Sequence, residues 1–197
     1  MSLVTKKAPD FTAKAVMAEN NIEDLTLSSI RDKYIALFFY PLDFTFVCPS
    51  EIIAFDDKLE EFKKRHCDVI SVSVDSEFTH LAWKNTPRDK GGLGNVGFPM
   101  VADLNKTISR DYGVLLEDAG VALRGFFLID KEGIVRHELI NDLPLGRNVD
   151  EAIRILDALQ FTEEVGEVCP ANWNPGDEAM KPTAEGVASY LAKHTTK

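Results

Sequence analysis

The residues best suited to chemistry lie in one short segment, Pro41-Leu42-Asp43-Phe44-Thr45-Phe46-Val47-Cys48-Pro49. It follows an apolar, aromatic-rich run, residues 35–40, that reads as a buried central strand. It precedes residues 49–66, where Ile52, Phe55, Leu59 and Phe62 recur on one helical face. Pro49 suits the first helical position, because its missing N–H would be unpaired there anyway. Cys48 then falls at or beside the N-cap, where free N–H groups and the helix dipole favour an anion. The thiolate is the nucleophilic form of cysteine, so this placement suits thiol chemistry.

Two readings of Cys48 stand side by side. One is a reactive thiol; the other is a small packing residue at a tight strand–helix junction. Thr45 and Pro41 favour the first: a hydroxyl near the sulfur could bond an oxygen substrate, and a proline could shield the sulfur from water. Arg124 opens a second apolar run, where burial would be costly without an anionic partner. It reads either as the group that stabilises the thiolate and the charge developing in attack, or as an edge-strand surface arginine.

The remaining cysteines, Cys67 and Cys169, bring the total to three, an odd and sparse set that makes no disulfide framework. Cys67 enters a strand and reads as a core thiol. Cys169 lies in a proline-rich stretch and, on its own, reads as a surface thiol on a tail. His66, His80, His137 and His194 show no metal spacing. His80 or His137 could serve a cysteine protease on paper, but no flanking motif supports it. Residues 92–97 match the dinucleotide fingerprint letter for letter. No strand precedes them and Phe98-Pro99 follows, so they read as loop.

The elements that must position these groups alternate between helix and strand. Strands are expected at residues 35–40 and 69–74, and a hairpin pairs residues 123–130 with 134–140 around Lys131-Glu132-Gly133. Helices are expected at residues 49–66, 78–85, 107–112 (closed by Gly113) and 149–161, and residues 86–99 form a long loop. Residues 169–182 read as an extended arm and 184–192 as a final helix. The chain has 197 residues, 45% hydrophobic and 27% charged, which is ordinary for one soluble domain with an added arm. The 22 basic and 32 acidic side chains give a net charge of −10, which disfavours nucleic-acid or anionic-membrane binding. No run is long enough for a bilayer and no signal peptide is evident, so a cytoplasmic site is the expectation.

The pattern at Pro41, Thr45 and Cys48 resembles the active-site signature of the peroxiredoxins. The string PLDFTFVCPSE is similar to that of their typical 2-Cys subfamily, which includes the bacterial alkyl hydroperoxide reductase C component. HLAWKNTPR from His80, GGLG from Gly91, LRGFFLID from Leu123, LPLGRNVDE from Leu143 and VCPANW from Val168 extend the resemblance along nearly the whole chain. It implies an α/β, thioredoxin-like fold: a central mixed sheet flanked by helices in residues 1–161, and a C-terminal extended arm in 162–197. It implies that Cys48 is the peroxidatic cysteine, with Thr45, Pro41 and Arg124 forming its pocket. Glu51 and Arg147 match residues that orient the pocket arginine, and Cys169 matches the resolving cysteine. The implied partners are a hydroperoxide, thioredoxin or a dedicated disulfide reductase, and further copies of the chain as a homodimer and a ring of five dimers. No cofactor is required. A holdase chaperone activity in large assemblies is the rival reading. Gly-Gly-Leu-Gly accompanies over-oxidation sensitivity in the family when a Tyr-Phe pair follows; here Tyr190-Leu191 stands instead, which points to intermediate sensitivity.

Overall fold

The computed structural model describes residues 2–30 and 32–194, so residues 195–197 of the expected arm lie outside the described residues. The chain packs as two units, Met1–Val149 and Asp150–Lys197. The division falls at the first residue of a long helix that begins at Val149.

The first unit is built on a mixed sheet of seven strands. At its centre, β3 (Tyr34–Phe39) runs parallel to β4 (Cys67–Ser73), which runs parallel to the short β5 (Met100–Ala102). A hairpin of β1 (Thr12–Val16) and β2 (Ile22–Thr26) joins antiparallel to β5. A small separate ladder pairs β6 (Leu115–Leu116) with β7 (Val121–Ala122). On the other side β8 (Arg124–Ile129) pairs antiparallel with β3, and β9 (Val135–Asn141) closes the edge. The order across the main sheet is β2-β1-β5-β4-β3-β8-β9.

Because side chains alternate along a strand, β3 feeds two cores at once, and all its residues are buried. Ile35, Leu37 and Phe39 face one core with Ile70, Val72, Phe127 and Ile129. Ile108 of α4 (Thr107–Asp111) and Tyr112 close it, the Tyr112 ring lying 5.1 Å from Phe39 and 4.9 Å from Phe127. Phe38 faces the opposite way and stacks at 4.2 Å on Phe55 of α1 (Cys48–Asp57). Phe55 in turn lies 6.0 Å from Phe62 of α2 (Leu59–Lys64). Each such ring contributes about 1.5–3 kcal/mol by leaving water.

The structure departs from the sequence reading in several places. The helix expected over residues 49–66 is two helices that part at Lys58. Ile52, Phe55, Leu59 and Phe62 are buried on both sides of the break, so apolar spacing could not register it. The β1–β2 hairpin exposes much of its length, and β5 has three residues, too few for a period. Helix α5 (Val149–Val165) outruns its last apolar repeat. The helix expected at residues 78–85 is α3 (Glu77–Asn85), capped by Ser76, whose side chain accepts from the Thr79 N–H.

Residues 92–97 form loop and lead into β5, with no helix for a phosphate to cap. The loop is tied to α3: the Trp83 indole donates to the Gly91 carbonyl at 2.9 Å, and Leu93 N–H donates to the Trp83 carbonyl. A β-carbon at Gly92 would stand 1.9 Å from the Thr86 carbonyl oxygen, which no side chain can tolerate.

The second unit holds α5, the arm and α6 (Ala184–His194). Arg154 bridges Glu151 and the Trp173 carbonyl, and Trp173 lies 5.0 Å from Phe161. Val168 and Met180 form an isolated antiparallel bridge, so the arm folds back on itself rather than running straight. Among the described residues no helix is long and apolar enough to cross a membrane.

Gly92→Ala should cost about 1–3 kcal/mol by urea denaturation, because backbone must move to admit the methyl group. Wild-type stability in that variant would refute the close approach.

Candidate functional site

The segment between β3 and α1 turns sharply, with Phe44 in the left-handed region at φ 53°. Few non-glycine residues adopt that conformation, which costs about 1–2 kcal/mol. Pro41 is buried at the start of this loop. Helix α1 begins at Cys48 with Val47 as its N-cap, so Pro49 occupies the second position, one later than the sequence reading placed it. Cys48 remains in the first turn, where unpaired N–H groups gather.

The Thr45 Oγ1 lies 3.0 Å from the Cys48 sulfur and 2.9 Å from the Leu42 carbonyl. A hydroxyl has one proton to give. With a thiol present, S–H donates to Oγ1 and Oγ1–H donates to Leu42. With a thiolate, the hydroxyl proton turns to sulfur. Thr45 can therefore serve both protonation states without moving.

Arg124, the first residue of β8, is buried, and β8 lies inside the sheet between β3 and β9. The surface reading of this arginine is excluded. Its Nη1 stands 3.4 Å from the Cys48 sulfur and 2.5 Å from Glu51 Oε2, and its Nε donates to the Leu143 carbonyl at 2.6 Å. Glu51 Oε1 takes two further bonds, from the Arg147 Nε at 2.8 Å and the Arg147 backbone N–H at 2.9 Å. Arg147 Nη1 donates to the Phe39 and Gly125 carbonyls, and the guanidinium lies 5.1 Å over the Phe38 ring. Its Nη2 is buried with no acceptor among the described residues. Burial pulls the Arg147 guanidinium below its ordinary pKa, and Glu51 holds it up.

The charges do not cancel. One carboxylate serves two guanidiniums, which leaves one positive charge buried beside the sulfur. A Cys48 thiolate makes the cluster neutral. Pro41, Thr45, Cys48, Glu51, Arg124 and Arg147 all belong to the first unit.

Cys169 belongs to the second unit, described by itself. It is half-buried, with sulfur 3.7 Å from the Ala158 carbonyl and 3.8 Å from Thr162 Oγ1. Cys67 is different: buried at the start of β4, its thiol is pushed far up by desolvation, with the Asp68 charge adding. Among the described residues no three His, Cys, Asp or Glu side chains converge as a metal site.

Sequence reasoning passed over one group. Tyr40 and Asp43 of the same loop form a second buried polar cluster with His80 of α3. His80 came into view in the metal-spacing test, as a protease partner and as the head of a family motif, and Asp43 only as a letter in the loop.

A thiol at a helix N-terminus, facing a hydroxyl and a buried arginine on a mixed sheet flanked by helices, defines a thiol-redox protein of thioredoxin-like architecture. Residues 4–138 match the AhpC/TSA family, and residues 158–193 match the C-terminal domain of 1-Cys peroxiredoxin. Peroxiredoxin-1 of Gallus gallus is 54% identical over 192 residues, covering 98% of this chain and 96% of its own. A thioredoxin peroxidase of Echinococcus granulosus is 54% identical, covering 97% of this chain and 98% of its own. The reduced 2-Cys peroxiredoxin of Plasmodium vivax superposes with a TM-score of 0.95 at 52% identity, over 98% of this chain and 100% of that one. The chain belongs to the peroxiredoxin family. Its enzyme class is that of the family, a peroxidase working through protein thiols.

Glu51→Ala should destabilise the first unit by about 3–5 kcal/mol in urea denaturation, since it strands two buried cations. An unchanged midpoint would show that the network carries no stability. In the native protein iodoacetamide should label Cys169 and leave Cys67 unmodified until denaturant is added, as mass spectrometry of the alkylated peptides would show.

Proposed function

We propose that the chain reduces hydrogen peroxide and organic hydroperoxides through Cys48, with Cys169 as the resolving thiol. The observation that carries this reading is the convergence of Thr45 Oγ1 and Arg124 Nη1 on the Cys48 sulfur, at 3.0 and 3.4 Å. Both groups can donate hydrogen bonds, and both flank the sulfur within reach of an oxygen that it attacks.

The Cys48 thiolate attacks the terminal oxygen of ROOH. The S–O bond forms as the O–O bond breaks, and the leaving alkoxide takes a proton to become ROH. Thr45 and Arg124 stabilise the charge moving onto that oxygen, a role in which one donor is worth about 10²–10³ in rate. Pro41, buried at the loop start, limits water around the sulfur. Glu51 and Arg147 keep the Arg124 guanidinium fixed, so no reorganisation is needed as charge develops. Cys48 is left as a sulfenic acid. The Cys169 thiol condenses with it, releasing water and forming a disulfide. A dithiol protein then returns both thiols by exchange. Thioredoxin is the reductant we favour, since a relative bears the name thioredoxin peroxidase.

The Cys48–Cys169 disulfide is proposed to join two copies of the chain. The outer side of β9 is a sheet edge with Leu139 and Ile140 exposed, which suits a homodimer contact. Phe46, Phe78 and Leu104 are also exposed, Phe46 at 96%, and suit further contacts between dimers in a ring of five.

On a non-reducing gel after one equivalent of hydrogen peroxide, wild type should run as a covalent dimer. Cys48→Ser and Cys169→Ser should both stay monomeric, and Cys48→Ser should lose peroxide turnover. Turnover that survives Cys48→Ser would overturn the reading. Thr45→Val should lower the rate of Cys48 oxidation by about 10²-fold in stopped flow.

A further inference from the structure

The start of β4 carries backbone groups that the sheet leaves unused. β4 pairs with β3 from Cys67 to Val72, but with β5 only from Ser71 to Ser73. Alternate residues of a central strand turn their N–H and C=O groups to opposite neighbours. The Tyr34 N–H donates to the His66 carbonyl and the Tyr40 N–H to the Val72 carbonyl, so the even-numbered residues of β4 serve β3. The Ser71 N–H donates to the Pro99 carbonyl and the Asp103 N–H to the Ser73 carbonyl, so the odd-numbered residues serve β5.

Val69 is the odd-numbered residue before Ser71. Ser71 pairs with Met100, so the same register sets Val69 opposite Phe98. Its carbonyl would then accept from the N–H of residue 99, and its N–H would donate to the carbonyl of residue 97. Residue 99 is a proline and has no N–H to give. Gly97 is held by α1 instead, its N–H donating to Asp56 Oδ1 at 2.8 Å, and no bond joins it to Val69. Both backbone polar groups of Val69 therefore lack a partner among the described residues, on a side of the sheet where the residue is only 2% exposed. A buried amide in that condition is uncommon and calls for a partner.

This edge faces a cleft of about 280 Å³, walled by Met17, Leu25, Leu59, Cys67, Val69 and Phe98. The Cys67 thiol is an uncharged part of the wall, because desolvation pushes its pKa far up. Asp24, Lys63 and Asp68 also border the cleft, and each is already paired: with Lys14, Glu60 and Lys33 respectively. The cleft thus combines apolar walls, charges committed elsewhere, and one unpaired donor beside one unpaired acceptor.

We propose that this cleft is a binding site for a small, neutral cyclic amide with an apolar body. The N–H and C=O of one strand residue leave the backbone on the same side. A ring that holds its amide cis presents its own C=O and N–H on one edge and meets both. An open-chain amide is trans and turns them opposite ways. The volume lies just below the usual range of ligand pockets, about 300–1,000 Å³, which suits a two-ring molecule and not an added strand. Because β3 and β4 run parallel, the start of β4 lies at the opposite end of the sheet from the Cys48 loop that follows β3. The site is separate from the peroxide chemistry, and its test reads no turnover.

The test is an NMR titration of the full-length protein, labelled with nitrogen-15 valine, against carbostyril, a neutral two-ring lactam. Val69 is assigned with Val69→Ile. The Val69 amide resonance should move downfield and saturate as the probe fills the cleft. N-methylcarbostyril keeps the rings and the carbonyl but has no N–H, and should bind about fivefold more weakly. Pro99→Ala supplies the missing N–H at residue 99. In that variant the new N–H should be protected from hydrogen exchange by the Val69 carbonyl, and carbostyril should lose a similar factor in affinity. A Val69 resonance that stays fixed up to the solubility limit of carbostyril would overturn the proposal. Equal affinity for the two lactams would do the same, since the rings alone would then account for binding. Fast exchange at residue 99 together with unchanged affinity in Pro99→Ala would also overturn it. If Pro99→Ala does not fold, the comparison of the two lactams on wild type decides.

Discussion

The Glu51 carboxylate, shared between two buried guanidiniums, is the interaction on which the site depends. Its three residues are far apart in sequence: Glu51 in the first turn of α1, Arg124 at the head of β8, and Arg147 just before α5. Through Arg147 it reaches the last carbonyl of β3 and the Gly125 carbonyl of β8. The end of one strand, the beginning of another and the start of a helix are thereby fixed to one carboxylate. Such burial is costly, and an apolar cluster of equal volume would often be at least as stable. What the ions provide instead is an unbalanced positive charge, at fixed distance, beside the Cys48 sulfur.

The loop from Tyr40 to Val47 is then held from two sides by two different kinds of polar network. On the Cys48 side the network is ionic, one carboxylate between two guanidiniums. On the Asp43 side it is a buried set of hydrogen bonds among Tyr40, Asp43, His80 and Asp75. Between them lies Phe44, strained at φ 53°, and Thr45, whose single hydroxyl proton has two acceptors. A strained loop is useful for chemistry only if its surroundings leave it one conformation. Here the aromatic core beneath β3, with Phe38 stacked on Phe55, supplies the rigid floor for both networks.

Local sequence was enough for much of this. The apolar run of β3, the hairpin of β8 and β9 and the cap-like position of Cys48 follow from periodicity and turn chemistry within a few residues. The β1–β2 hairpin did not follow, because its half-exposed strands lack a clear alternation. Nor did β5, which is a strand only because β4 and β1 lie on either side of it. The helix break at Lys58 was invisible because the apolar stripe continues across it.

For the site, the sequence by itself determined the cysteine at the start of a helix, its hydroxyl neighbour and the motifs that tie the chain to its family, since those depend on residue types at short spacing. It could leave Arg124 on a surface edge or in the core with equal consistency. Only the tertiary structure decided that, by putting β8 between two other strands, where an arginine has no water and must find a carboxylate. The same holds for Asp43 and His80. They lie 37 residues apart, and their pairing exists because α3 packs against the sheet at the height of the loop. Pattern reading senses which residues prefer to be buried; it does not see which of them the fold will bring to 2.7 Å of one another.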